Sequence, residues 1–188
     1  MGSIAEDSHA VILLADYVGL DAGNKLNLMG AGYSLAGWMA GQTAPMHVAV
    51  LIDVHGRHAG EQFTFTLELR DRDRNELVSL PGPTGTLEAM RISQVATAER
   101  PVLVGVPIPH DIPCRVQMQI GFPTGLPLTP GHRYSWRLLI DNTHRKNWVA
   151  NFYVPELPSG PVFGGPAGPG AIPGVAPTDD VEDPLEEG

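Results

Sequence analysis

The chain has a single cysteine, Cys114, in 188 residues. No internal disulfide is possible, so the fold does not rest on an oxidising compartment. Positive charge is also scarce: 12 Lys and Arg stand against 21 Asp and Glu, for a net charge of −9. Nonspecific binding to a phosphate backbone needs a cation surplus that releases counterions, so DNA and RNA contact is disfavoured. Long apolar runs are missing. The stretch Val11-Ile12-Leu13-Leu14 is too short for a membrane helix or a signal core, and acidic rather than basic residues precede it. The expectation is a soluble protein without a membrane partner, kept in a bacterial-type cytoplasm or assembled there into something larger.

Catalytic signatures are absent too. No G-x-S-x-G elbow, P-loop or dinucleotide fingerprint occurs. Cys114 follows Pro113 with no glycine-rich elbow or helix start beside it, and Ser79, Ser93 and Ser135 fall within strand patterns. A nucleophile needs a base and an oxyanion hole within reach, so the expectation is no enzyme and no cofactor. Metal motifs stop short in the same way. Asp71-Arg72-Asp73-Arg74-Asn75 begins like a calcium loop, but Glu76 stands where the glycine is needed and Gly82 where the bidentate acid is needed. A solvated hairpin turn is the better reading. His55, His58, His110 and Asp111 show no third ligand at readable spacing, and His132 and His144 read as turn residues.

Finally, no stretch of ten or more residues has a clear helical period, and period two takes its place. Tyr134, Trp136, Leu138 and Ile140 alternate with Ser135, Arg137 and Leu139. After a polar loop, Asp141 to Asn147, Trp148, Ala150, Phe152 and Val154 alternate again, which makes an aromatic hairpin. Met46 to Val54 and Phe63 to Leu69 repeat the pattern, the second with Thr64, Thr66, Glu68 and Arg70 facing solvent. Val11 to Tyr17 is apolar on both faces, as in a strand buried on both sides at its centre or covered by a neighbouring chain. Gly30 and Gly32 mark a bulge or a close approach. Val102, Val104 and Val106 predict a further strand over Pro101 to Ile108, confined by its prolines to a sheet edge or a loop. Cys114 to Phe122 alternates as well, whereas Ala89 to Ala98 fits either a short helix or a strand. Eight to ten strands without helices predict an antiparallel β-sandwich, immunoglobulin-like or jelly-roll, over residues 1–154. The loop from Ala36 to Ala44 carries Trp38 and Met39. Trp38 is either a lid over the sandwich end or an interface anchor.

Composition changes at Pro155. Residues 155–188 contain 8 prolines, 7 glycines and no Lys or Arg, and their seven acids carry −7 of the net charge. Such a segment cannot bury enough apolar area to offset its ordering entropy alone. It reads as an extended Pro/Gly-rich tail with Val162, Phe163, Ile172 and Val175 as its apolar contact candidates.

Two stretches carry a resemblance. Leu14-Ala15-Asp16-Tyr17 followed by Gly23-Asn24-Lys25-Leu26-Asn27-Leu28-Met29-Gly30 is similar to the opening of a family of uncharacterised bacterial and phage β-sandwich proteins. Pro130-Gly131 to Tyr134, Ile140-Asp141 and Phe152-Tyr153-Val154 resemble the closing hairpin shared by that family and many immunoglobulin-like domains. The resemblance implies a tyrosine corner at Tyr134, its hydroxyl tying the turn to the strand. It also implies a virion or phage-accessory role. With the all-β pattern, the missing site motifs and the tail, the expectation is a non-enzymatic, capsid-decorating or minor structural protein whose tail docks on neighbouring subunits. Its partners would then be further copies or virion lattice subunits, and it would pass from host cytoplasm to virion. The alternative from another class is a soluble carbohydrate- or ligand-binding sandwich with Tyr33, Trp38 and the histidine loop at one rim. The third is an enzyme using loop His and Asp residues.

Overall fold

The computed structural model describes residues 2–156 except positions 24 and 83, and these fall in one compact unit. Fourteen strands follow one another. They are β1 (Ser8–Ala15), β2 (Tyr17–Leu20), β3 (Leu26–Met29), β4 (Trp38–Met39), β5 (Gln42–Thr43), β6 (Met46–Val54) and β7 (Gln62–Asp71). After them come β8 (Glu76–Leu77), β9 (Ser79–Pro81), β10 (Leu87–Ala89), β11 (Arg91–Thr97), β12 (Cys114–Phe122), β13 (Arg133–Ile140) and β14 (Thr143–Tyr153). A single 3-10 turn, Gly56–His58, is the only helical element among the described residues.

The architecture is an antiparallel β-sandwich. One sheet runs β1-β6-β12 and the other β11-β7-β13-β14, with β8 added to β7. The register follows the period-two pattern. Ile12, Val50 and Ile52 of the first sheet and Phe65, Leu67, Trp136 and Leu138 of the second are buried in one common core. Trp136 stacks on Phe122 at 5.6 Å between ring centroids, and Tyr134 stacks on Phe152 at 5.6 Å. A β-branched or aromatic side chain at every second position fits this half-buried pleated surface, which is why these runs became strands.

The first strand is covered on both faces only toward its C-terminal end, and its own fold supplies that cover, while His9 and Val11 on the outer face stay exposed. The β2–β3 hairpin turns back over the outer side, where Ala15, Val18 and Ala49 form a second small core with Leu13, Leu26 and Leu28. Gly30 is the close approach. Its φ is +62°, and a Cβ there would collide with the Asp16 carboxylate.

Several sequence expectations need correction. The polar loop over Asp141–Asn147 is only a two-residue turn: Asp141 (φ 46°) and Asn142 (φ 61°) take left-handed backbone, and β14 starts at Thr143. The Ala36–Ala44 loop contains the β4–β5 hairpin, turned at Ala40 and Gly41. The outer face of β7 is not all solvent, since Glu68 is only 4% exposed. Of the two readings open for Ala89–Ala98, the strand is the one formed: Arg91 to Thr97 pair in register with Glu68 to Gln62 of β7. No strand forms over Pro101–Ile108. Prolines at 101, 107 and 109 offer no N–H to a ladder, and Gly105 at φ +77° bends the segment into a turn closed by Val106 N–H on the Leu103 carbonyl.

Candidate functional site

The most unusual surface is the connection from β11 to β12. Five of its apolar side chains face water: Val102 (88% exposed), Leu103, Val104 (95% exposed), Val106 and Ile112. Scattered exposed apolar residues are ordinary, but a contiguous set marks an interaction surface. The loop is held from beneath. Arg100 donates to His110 Nδ1 at 2.6 Å and to the Gly56 carbonyl at 3.2 Å. Gly56 lies so close below that a Cβ would stand 2.6 Å from the Ile112 carbonyl oxygen and nearer still to that of His110. The loop's foot is therefore fixed while its apolar tip projects.

Beside the foot lies a cleft of about 970 Å³. It opens where the last strand of each sheet ends the sandwich: Ala96 and Thr97 of β11 face Arg115 and Val116 of β12, with Leu26, Leu28 and Val102 on the walls. Terminal strands are the usual places where a sheet meets other chains.

Of the other sequence candidates, Trp38 is half-buried against the main core, and Met39 beside it is 61% exposed. Tyr33 also packs against that core. Burial, followed by the nearby charge of Asp16, pushes its hydroxyl up to about 12. Tyr33 and Trp38 are thus both half-buried against the core. Val162, Phe163, Ile172 and Val175 lie outside the described residues.

Two charged clusters join residues far apart in sequence. Asp7 accepts from Arg57 and lies 2.8 Å from His58 Nε2, while His58 Nδ1 lies 3.1 Å from Glu61. The Arg57 bond, then the His58 bond, holds Asp7 at about 2. The Asp7 bond outweighs burial and raises His58 above its ordinary value. His55 and His110 take other partners, Arg57 N–H and Arg100.

The second cluster is Asp71, Asp73 and His132, whose potential ligand atoms lie within 4.8 Å of one another. These atoms already have protein partners. Asp71 accepts the N–H groups of Asp73 (2.9 Å) and Arg74 (3.0 Å) and meets His132 Nδ1 at 2.7 Å. Asp73 accepts the Arg133 N–H at 2.6 Å and its guanidinium Nε at 2.8 Å. Burial pushes Asp71 up, but the His132 bond and the two N–H groups together keep it below the ordinary carboxylate value. The Asp71–Asn75 segment is a hairpin turn whose carboxylates anchor backbone, with two guanidinium groups close by. His132 joins across 61 positions of sequence, and no local motif announces it.

Cys114 is fully buried, and burial raises its thiol pKa, which disfavours the nucleophilic thiolate. No helix among the described residues is long and apolar enough to cross a membrane. No protein-family model matches the chain, and comparison with curated proteins and with solved structures gave no match.

Proposed function

We propose that this chain is a non-enzymatic interaction protein that packs against further copies of itself in a protein lattice, of the virion type implied by its opening and closing strands. The observation that carries this reading is the projecting apolar loop, with Val102 and Val104 almost wholly in water above a foot held by Arg100 and Gly56. Leaving these side chains exposed forgoes roughly 1.5–3 kcal/mol of burial for each, and a packed interface recovers it. A held foot also means that little ordering entropy opposes docking. The adjoining cleft gives a partner segment a place to lie. The buried Cys114 and the protein-engaged carboxylates of Asp71 and Asp73 support a non-catalytic role.

The Pro/Gly-rich arm from Pro155 is a second contact in this reading, lying along neighbouring copies. Ending the chain at Val154 should then weaken assembly without unfolding the sandwich.

The test of the loop is sedimentation velocity on the full chain across a wide concentration range. The wild type should self-associate, and the Val102→Asp/Val104→Asp double variant should remain monomeric with an unchanged thermal midpoint. A wild type that stays monomeric throughout, or a variant that assembles equally well, overturns the proposal.

A further inference from the structure

The described residues include 12 Lys and Arg side chains, and eight of them have an ionic, hydrogen-bond or cation–π partner. Four side chains have no such partner among the described residues: Lys25, Arg72, Arg137 and Lys146. Three of these four, Arg72, Arg137 and Lys146, line one cleft of about 410 Å³ on the outer face of the second sheet. In a chain of net charge −9, this gathering of unneutralised cations runs against the overall balance.

The register explains how the charge is left over. Arg137 of β13 lies directly opposite Glu68 of β7, a carboxylate that could neutralise it. Glu68 is engaged elsewhere. One oxygen accepts from Arg91 at 2.6 Å and the other lies 3.6 Å from Arg70. On its other side Arg137 faces Val149 of β14, which has no charge to offer. Arg137 Nε is consequently buried with no hydrogen-bond partner. A buried donor without an acceptor costs on the order of 1–3 kcal/mol. Asp71 sits at the margin of the cleft, but its carboxylate is committed to His132 and to the turn N–H groups.

We infer that this cleft is a binding site for a small, multiply charged oxyanion, a phosphorylated or sulfated ligand. Two guanidinium groups and an ammonium suit a group that carries more than one negative charge. Asn75 and Asn151 also line it and can supply neutral donors. The cleft volume falls within the roughly 300–1,000 Å³ of small-molecule sites. An extended peptide is disfavoured, because the floor is formed by β7, β13 and β14, and β7 and β13 are paired on both sides. The site is separate from the apolar loop and does not depend on the assembly reading.

The test is calorimetric titration of the full chain at low salt with three probes: pyrophosphate, a sulfated disaccharide and a hexaglutamate peptide. Saturable one-to-one binding of pyrophosphate or of the disaccharide is expected, and whichever binds more tightly identifies the ester class. Affinity should fall on the order of tenfold in Arg137→Gln and in Lys146→Gln and should weaken with added salt. Lys25→Gln, a change at the unpartnered cation outside the cleft, should leave it unchanged. Lys146 is exposed, so that variant tests the site even if Arg137→Gln unfolds. No saturable binding of either ester probe, equal loss in Lys25→Gln, or binding of hexaglutamate alone would overturn the assignment.

Discussion

The Tyr134 hydroxyl closes a ring with Thr129: it donates to the Thr129 carbonyl at 3.1 Å and accepts the Thr129 N–H at 2.9 Å. This bond across five residues is the corner implied by the closing hairpin, and it fixes the Pro130-Gly131 turn at the start of β13. Tyr134→Phe keeps the ring's stacking on Phe152 and removes only the two hydrogen bonds. The expected cost is about 1–2 kcal/mol, read as a lower urea midpoint with an unchanged m-value.

Gly125 should tolerate no side chain. Its φ is +77°, and a Cβ would run into the Thr43 carbonyl. The backbones meet there because Thr43 N–H donates to the Leu126 carbonyl and Leu126 N–H to Thr43 Oγ1, both at 2.9 Å. Gly125→Ala should cost about 1–3 kcal/mol. Gly41, also at positive φ but with nothing within 4 Å, should lose less on the same change. Thermal midpoints of the two variants distinguish them.

Stability should depend on pH through the Asp7–His58 pair. His58 is lifted above its ordinary 6.5, so its contribution is complete below that value and disappears as pH rises through the raised folded value. Asp7, held at about 2 against an ordinary 3.8, contributes above 3.8 and loses that contribution as pH falls toward 2. Urea midpoints measured from about pH 5 to pH 9 should decline on the alkaline side for the wild type and stay flatter for His58→Asn. Equal slopes would remove the pair from the account.

Trp136 should be among the most costly core truncations. It is fully buried between the sheets and stacked on Phe122. Trp136→Ala should lose about 3–5 kcal/mol, observable as the loss of a cooperative unfolding transition at 37 °C if the domain is of ordinary stability.

Sequence pattern located the strands best where one face is buried and the other polar. β6, β7 and β13 are legible because Val48, Phe65 and Trp136 each belong to an uninterrupted period-two series. The same series misled at Val102, Val104 and Val106, where prolines and Gly105 deny the segment a ladder and turn its apolar residues outward. It misled in the opposite sense at Thr143 to Asn147, a polar run that reads as loop although its backbone is strand. The charged clusters were illegible for another reason. Asp7 with His58, and Asp71 with His132, meet only through the fold. The cationic cleft left a faint trace in Arg70 near the end of one strand, Arg72 just beyond it, and Arg137 on the neighbouring strand, but which of these cations Glu68 leaves unneutralised depended on register. Trp38 offered no choice in sequence between lid and anchor, and the fold shows it half-buried against the core beside an exposed Met39.

The central claim is that the tip of the 101–113 loop meets another copy of the chain. A photoreactive phenylalanine analogue placed at Val104 of the purified full-length protein tests it most directly, with the same group at Thr64, exposed on β7, as the control. Irradiation should give a covalent dimer, twice the 20.1 kDa chain mass, from the Val104 position and little from Thr64. Equal yields from both positions, or no dimer from Val104 at concentrations where the chain sediments as an oligomer, would contradict the account.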